Sequence, residues 1–368
     1  MKISRLAILI VFPLFIWAQS INIPTAHYGL SLGNSKTFTG IRINWSDRNV
    51  ERVTGLNLTL WRAKNNDHAV VKGVSLGLFM PEAGQFYGAQ LGLVGVSAGK
   101  RMVGLNFGGL GVGSGGSVLG INLAGLGMGS GENVIGLSVA GLGFAAGKDV
   151  KGFSIAGLGL GAGNSIHGIS LAGLGAGCGG NKIGLNIAGL GIGAGAGLKG
   201  ITIAGFGAGS GESIVGITLA GFGVGAGESI TGVQMALFGV GAGDAINGLS
   251  VAGFGLGAKN LLRGVNIAGI GLGSQHIVGL SVAGLMAGGK EITGITLTPG
   301  LIKVPGEGQY TGLAVAGMNY IKGKQNGLSV GVINYAAQLH GVQLGVINYV
   351  KENPWYLRVL PLINFNFR

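Results

Sequence analysis

Glycine returns along this chain with a fixed step. Gly104, Gly120, Gly136, Gly152, Gly168, Gly184, Gly200, Gly216, Gly232, Gly248 and Gly264 are sixteen residues apart, and the step shortens to fifteen at Gly279 and Gly294. Gly40, Gly55, Gly73 and Gly88 carry the phase upstream with less regular steps, and Gly312, Gly327 and Gly341 carry it downstream. A unit this short cannot bury an apolar face by itself, so it has to be covered by its neighbours. The architectures open to such a chain are those in which every repeat stacks on the one before it.

With the recurring glycine as position 0, the unit Gly136–Lys151 reads GLSVAGLGFAAGKDVK. Aliphatic residues occupy positions 1 and 3 (Leu137, Val139; Ile201, Ile203; Val265, Ile267). Large apolar residues return at 6 and 8 (Leu142, Phe144; Ile270, Leu272), and one more stands at 14 (Val134, Val150, Ile166, Ile214, Ile230, Ile246). Position 2 is polar: Asn122, Ser138, Ser154, Asn186, Thr202, Thr218, Gln234. Alternation at 1, 2 and 3 is a strand signature, with 1 and 3 expected inward. The phase then slips, because 5 and 7 are glycine, which places a corner at the Ala-Gly pair of positions 4 and 5 and is expected to return positions 6 and 8 to the inward face. Three short sides of about five residues account for every apolar position, the pattern of an all-β parallel solenoid with one repeat per coil.

The competing arrangement is a transmembrane β-barrel with one strand per repeat, a candidate pore. Its support is an N-terminal leader pattern, a low content of charge, and a last segment in which Ile363, Phe365 and Phe367 alternate with Asn364 and Asn366. Against it, a lipid-facing strand should keep one face apolar over about 9–11 residues, and here each face is half glycine. Alternate turns of an antiparallel barrel should also differ, whereas these turns are alike.

Composition narrows the class. Glycine accounts for 81 of 368 residues, about three times ordinary usage, and charged residues for only 10%. No Gly-X-Y triplet runs through the chain, which excludes collagen, and 47% hydrophobic content excludes a charged disordered chain. Lys2 and Arg5, the apolar run Leu6 to Trp17 and the small residue Ala18 form a secretory signal pattern over residues 1–18. Irregular repeats follow over 19–103, the regular array over 104–300, and further repeats with a terminal strand or cap over 301–368. The net charge of +12 resides mostly toward the two ends of the array. These basic ends offer contacts for envelope lipid, lipopolysaccharide or surface glycan, and export argues against nucleic acid.

The C-terminal units GLSVGVINYAAQLHGVQLGVINYVKENPWYLRVLPLINFNF resemble the bacterial exported surface-repeat proteins built from tandem GLQxGLxN-type units, and the core units resemble their glycine-rich GLxxxGLG relatives. The resemblance implies an exported or outer-membrane location and carries no chemistry with it.

Signals for catalysis or cofactors do not assemble. The GxGxxG string Gly111–Gly116 is a chance product of glycine content, with no helical period after it. His27, His68, His167, His276 and His340 are scattered, Cys178 is single, and no serine recurs with a histidine and a carboxylate. No catalytic, cofactor-binding or metal-binding residue is assigned, and no cofactor is expected. Glu212, Glu228 and Asp244 share one repeat position and should stack about 4.8 Å apart. One carboxylate per coil falls short of the six to eight oxygens calcium takes, and they read as solvated charge. The polar column at position 2 is either a hydrogen-bonded ladder or the face of a glycan binder. The expectation is a non-catalytic exported surface or envelope protein with a structural or interaction role, or alternatively an adhesin.

Overall fold

The structure, a computed structural model, describes residues 20–367; the leader expected at 1–18 lies outside them. The described residues form parallel β-solenoid coils grouped in two compact units that divide between Cys178 and Gly179. Within each unit a strand pairs with the strand one repeat later: Val134–Ala140 with Val150–Ala156 in the first, Ser213–Ala220 with Ser229–Ala236 in the second. Gly136 faces Gly152 and Gly216 faces Gly232, so the sixteen-residue period of the sequence is the register of the sheet. Parallel pairing of successive repeats is incompatible with the antiparallel barrel.

Each regular coil has a long strand bent at position 0 and a short one over positions 7 to 10, such as Gly143–Ala146 or Gly223–Ala226. The bend is a glycine with φ between 108° and 126° throughout the regular array, a region that side chains avoid. The corner expected at positions 4 and 5 is present, between Ala140 and Gly143 and between Ala220 and Gly223. Gly141 shows why only glycine serves at position 5: a Cβ there would stand 1.9 Å from the carbonyl oxygen of Gly125 in the preceding coil. Leu237 and Pro299 are the exceptions at this position in the regular array of the second unit, and Leu237 shows what a side chain there requires. Its amide donates to Gly221 O, whereas Gly221 and Gly253 donate to the preceding coil's alanine, and its side chain projects outward, 68% exposed.

The ends are closed by reversed strands. Ser20–Pro24 runs antiparallel to Tyr28–Gly33 in the first unit, and Val359–Asn366 runs antiparallel to the last coil in the second. Each replaces the open parallel edge that a terminal coil would expose. The alternating Leu360–Phe367 segment therefore belongs to the closing strand of a solenoid.

One expectation is overturned, and it changes what the surface is made of. Positions 1 and 3 face outward, and so does position 6, which the corner was expected to return to the interior with position 8: Leu137 is 38% exposed, Ile201 42%, Ile203 37% and Leu142 48%. The interior is built from position 14 (Val134 and Val150; Ile214, Ile230 and Ile246), position 8 (Phe144 and Leu160; Val224 and Leu256) and the alanines of position 4, buried except for the half-buried Ala220. The polar residues of position 2 are inside with them, Asn122, Ser138, Asn186, Thr202 and Gln234 each 0–1% exposed. Alternation runs unbroken from 14 through 0 to 4, so the bend glycine is on the inward phase and the residues next to it point out. The narrow interior takes one large side chain per side, and the second inward place is filled by a small or polar group.

In the coils after Gly312 the phase shifts again. Asn319, Asn334 and Asn348 turn inward and form a ladder with N–O distances of 2.7 Å at each step. The neighbouring Tyr335 and Tyr349 stack at 5.1 Å.

Two substitution pairs test this cross-section. Gly141→Ala should cost several kcal/mol, because a backbone oxygen cannot yield. Gly161→Ala, where a Cβ meets nothing within 4 Å, should leave stability unchanged or raise it by about 0.5 kcal/mol. Ile214→Asp should cost more than about 4 kcal/mol, and the outward Ile203→Asp no more than about 1 kcal/mol. Urea midpoints followed by circular dichroism distinguish them; equal losses for Ile203→Asp and Ile214→Asp would contradict the assigned faces.

Candidate functional surfaces

With the interior closed, chemistry is confined to outward columns. Position 6 forms a ridge in each unit: Leu110, Leu126, Leu142, Leu158 and Leu174 in the first, and Leu190, Phe206, Phe222, Phe238, Phe254, Ile270 and Leu285 in the second, each 43–61% exposed. The four phenylalanines stack nearly face to face with centroids 4.4–4.8 Å apart, the spacing the sheet imposes on any column. Between this ridge and the position 3 column lies a shallow groove floored by the Ala-Gly corner. In the second unit one stretch of it encloses about 490 Å³ between Ile203, Leu219, Met235 and Leu237. On the other side of the ridge, positions 7 and 9 present glycine, as at Gly191, Gly193, Gly223 and Gly225.

Not all of these glycines serve the fold. A Cβ at Gly113, Gly129, Gly161, Gly193 or Gly225 would meet nothing within 4 Å, and Ala145 already occupies position 9 in one coil. Position 5 is glycine because of the neighbouring coil; position 9 leaves a smooth outer strip with no intramolecular need for it.

Charge occupies the remaining corner, positions 12 to 15. Lys148 Nζ lies 2.9 Å from Glu132 Oε1 across one repeat. Hydrogen bonds from Lys148 and Ser117 hold the Glu132 carboxyl below its usual range. Burial pushes the Asp149 carboxyl upward, but hydrogen bonds from Asn164, Lys151 and the Ser165 amide outweigh it, and its pKa is lowered. Glu212, Glu228 and Asp244 stack on this corner as the repeat requires, with backbone N–O contacts of 2.8 and 2.7 Å between their coils, and all three are exposed. Among the described residues, no group of three histidine, cysteine, aspartate or glutamate side chains converges. His276 pairs with Glu291 at 3.0 Å, and the other four histidines lie in different coils.

The position 2 column is an interior ladder. Asn106 Nδ2 donates to Asn122 Oδ1 at 2.7 Å, Asn122 Nδ2 to Ser138 Oγ at 3.1 Å, and Ser250 Oγ to Gln234 Oε1 at 3.4 Å. A ligand outside the coil cannot reach it, which removes the glycan face placed there by the outward assignment. The string Gly111–Gly116 comprises the short strand Gly111–Ser114 and its turn, with no helix behind it.

Sequence reasoning missed an arrangement in the first coils. Arg42 occupies position 2, fully buried, and its guanidinium forms an ion pair with Asp47. Arg42 Nη1 also donates to Asn57 Oδ1 and Nη2 to Asn34 Oδ1, both at 2.8 Å, while Thr59 Oγ1 donates to Asp47 Oδ2 at 2.9 Å. Outside this cluster, Trp45, Trp61 and Phe79 stack, Trp45 on Trp61 at 6.2 Å and Trp61 on Phe79 at 5.0 Å. Trp45 and Trp61 follow the strands Thr37–Asn44 and Arg52–Thr59, at the ends of the alternating segments TGIRINW and TGLNLTLW.

Burial pushes the Tyr310 hydroxyl up to about 12. Its neutral form is favoured in the fold, where the hydroxyl donates to Leu313 O at 2.6 Å. An unfolded tyrosine ionises near pH 10, so the folded state holds the extra proton between about pH 10 and 12. Stability contributed by Tyr310 is therefore complete below pH 10 and is lost as pH rises through that window. The wild-type chain should lose stability across it faster than Tyr310→Phe in paired urea titrations at pH 9, 10.5 and 11.5; parallel slopes would contradict the assignment.

No family model, no curated protein and no solved structure matches this chain.

Proposed function

We propose that this chain is a non-catalytic, exported structural protein of the bacterial envelope whose role is lateral association between copies of itself. The observation that carries the reading is the one-sided coil: hydrocarbon and glycine at positions 1, 3, 6, 7 and 9, charge at 12 to 15. In the second unit four half-exposed phenylalanines leave roughly 400 Å² of aromatic surface, already comparable to the largest apolar patch of an ordinary monomer. With Leu190, Ile203, Met235, Leu237, Ile270 and Leu285 the stripe reaches about 800 Å², what one partner contributes to a standard interface.

A second copy is the occupant that fits. Its coils have the same spacing, so ridge and groove of one can interdigitate with those of the other over many repeats, and the bare strip at positions 7 and 9 permits close approach. A lipid surface fits less well, because the lysines and arginines that would meet headgroups, such as Lys199 and Arg263, stand on the polar corner and not beside the ridge. Export is supported by the leader pattern at 1–18 and by the resemblance to surface-repeat proteins.

Sedimentation equilibrium of the purified chain tests the association. Self-association in the micromolar range is expected, with Phe222→Glu/Phe238→Glu shifting the chain to monomer by at least tenfold in Kd while leaving its circular dichroism unchanged. A wild-type chain monomeric at about 100 μM, or association indifferent to the double substitution, would refute it.

A further inference from the structure

We infer that the N-terminal end of the first unit is a binding site for an acidic saccharide. A pocket of about 610 Å³ opens there, within the size range of ligand sites. Leu32 and Ile43 form its apolar wall, and Trp45 stands beside them with 67% of its surface exposed. That indole is held flat by stacking on Trp61, an arrangement that presents a rigid aromatic plane. Lys36 and Arg48 also line the pocket, both exposed, and neither enters an ion pair among the described residues. Asp47, the nearest carboxylate in sequence, is committed to the buried Arg42 and does not neutralise them.

Two features specify one chemistry. The apolar face of a pyranose ring matches the indole plane, and a carboxylate satisfies Lys36 and Arg48. A purely apolar ligand would leave both cations unused, and a simple anion would leave Trp45 unused.

This goes beyond the association reading and uses a different part of the molecule, so either can fail alone. The test is intrinsic tryptophan fluorescence of the purified chain titrated with trigalacturonic acid, its neutral methyl ester, and inorganic phosphate. Saturable quenching by the acid is expected, weakened roughly tenfold or more for the ester and for Lys36→Gln/Arg48→Gln, since the lost contacts are charge-assisted. Added salt should weaken the acid and not the ester. Trp45→Ala, at an exposed side chain that the fold does not need, should abolish binding measured by calorimetry. Equal affinity for acid and ester, competition by phosphate at matched concentration, binding that survives Trp45→Ala, or no binding of the acid would each overturn the proposal.

Discussion

Everything in this architecture depends on how closely one coil approaches the next. The corner glycines at positions 0 and 5 lie so near the preceding coil's carbonyl oxygens that a Cβ would intrude to about 2 Å. That closeness lets every strand pair with its counterpart one repeat away, turning a chain of weak units into a continuous ladder. Glycine loses more entropy on folding than any other residue. The backbone pairing gained at each corner offsets that loss only because it recurs in every coil.

The same geometry explains the inverted distribution of polarity. A coil of sixteen residues encloses very little volume, enough for one aliphatic column at position 14, another at 8, and small groups between them. Asparagine, serine, threonine and glutamine fit the remaining inward place because an identical or similar residue sits one coil away to share a hydrogen bond, as Asn106 does with Asn122. Apolar residues in excess of what the interior holds are displaced outward, where they line up in columns at the sheet spacing. A repeat protein multiplies whatever stands at each position: one half-exposed phenylalanine is ordinary, and four in register form a surface.

The irregular ends serve different purposes from the array. At the C-terminus the phase shifts so that asparagines enter the interior, and an antiparallel strand closes the edge. At the N-terminus the buried Arg42–Asp47 pair, hydrogen-bonded to Asn34, Asn57 and Thr59, replaces the small polar residue of later coils. An ion pair in that place contributes little net stability after desolvation, but it fixes the turn carrying Trp45 and Arg48. Departures from the repeat are thus where individual side chains acquire individual surroundings.

Much of this was legible in the sequence. The sixteen-residue step gave the register, glycine at position 5 gave the corner, and the similarity of successive turns favoured a parallel solenoid over a barrel. Stacking of Glu212, Glu228 and Asp244 followed from the period alone. What the sequence could not decide was which side of each strand faced inward. Alternation is symmetric, so Leu137, Ser138 and Val139 are equally consistent with either face, and ordinary hydrophobicity chose the wrong one. The tertiary structure settled it through volume: the bent strand runs from position 14 to 4 in one phase, and only the set containing the position 14 aliphatics, the polar residue and alanine fits the enclosed space. The pocket beside Trp45 was likewise invisible, because it joins Leu32, Lys36, Asn44 and Arg48 through a fold at the chain's first coils that no periodicity describes.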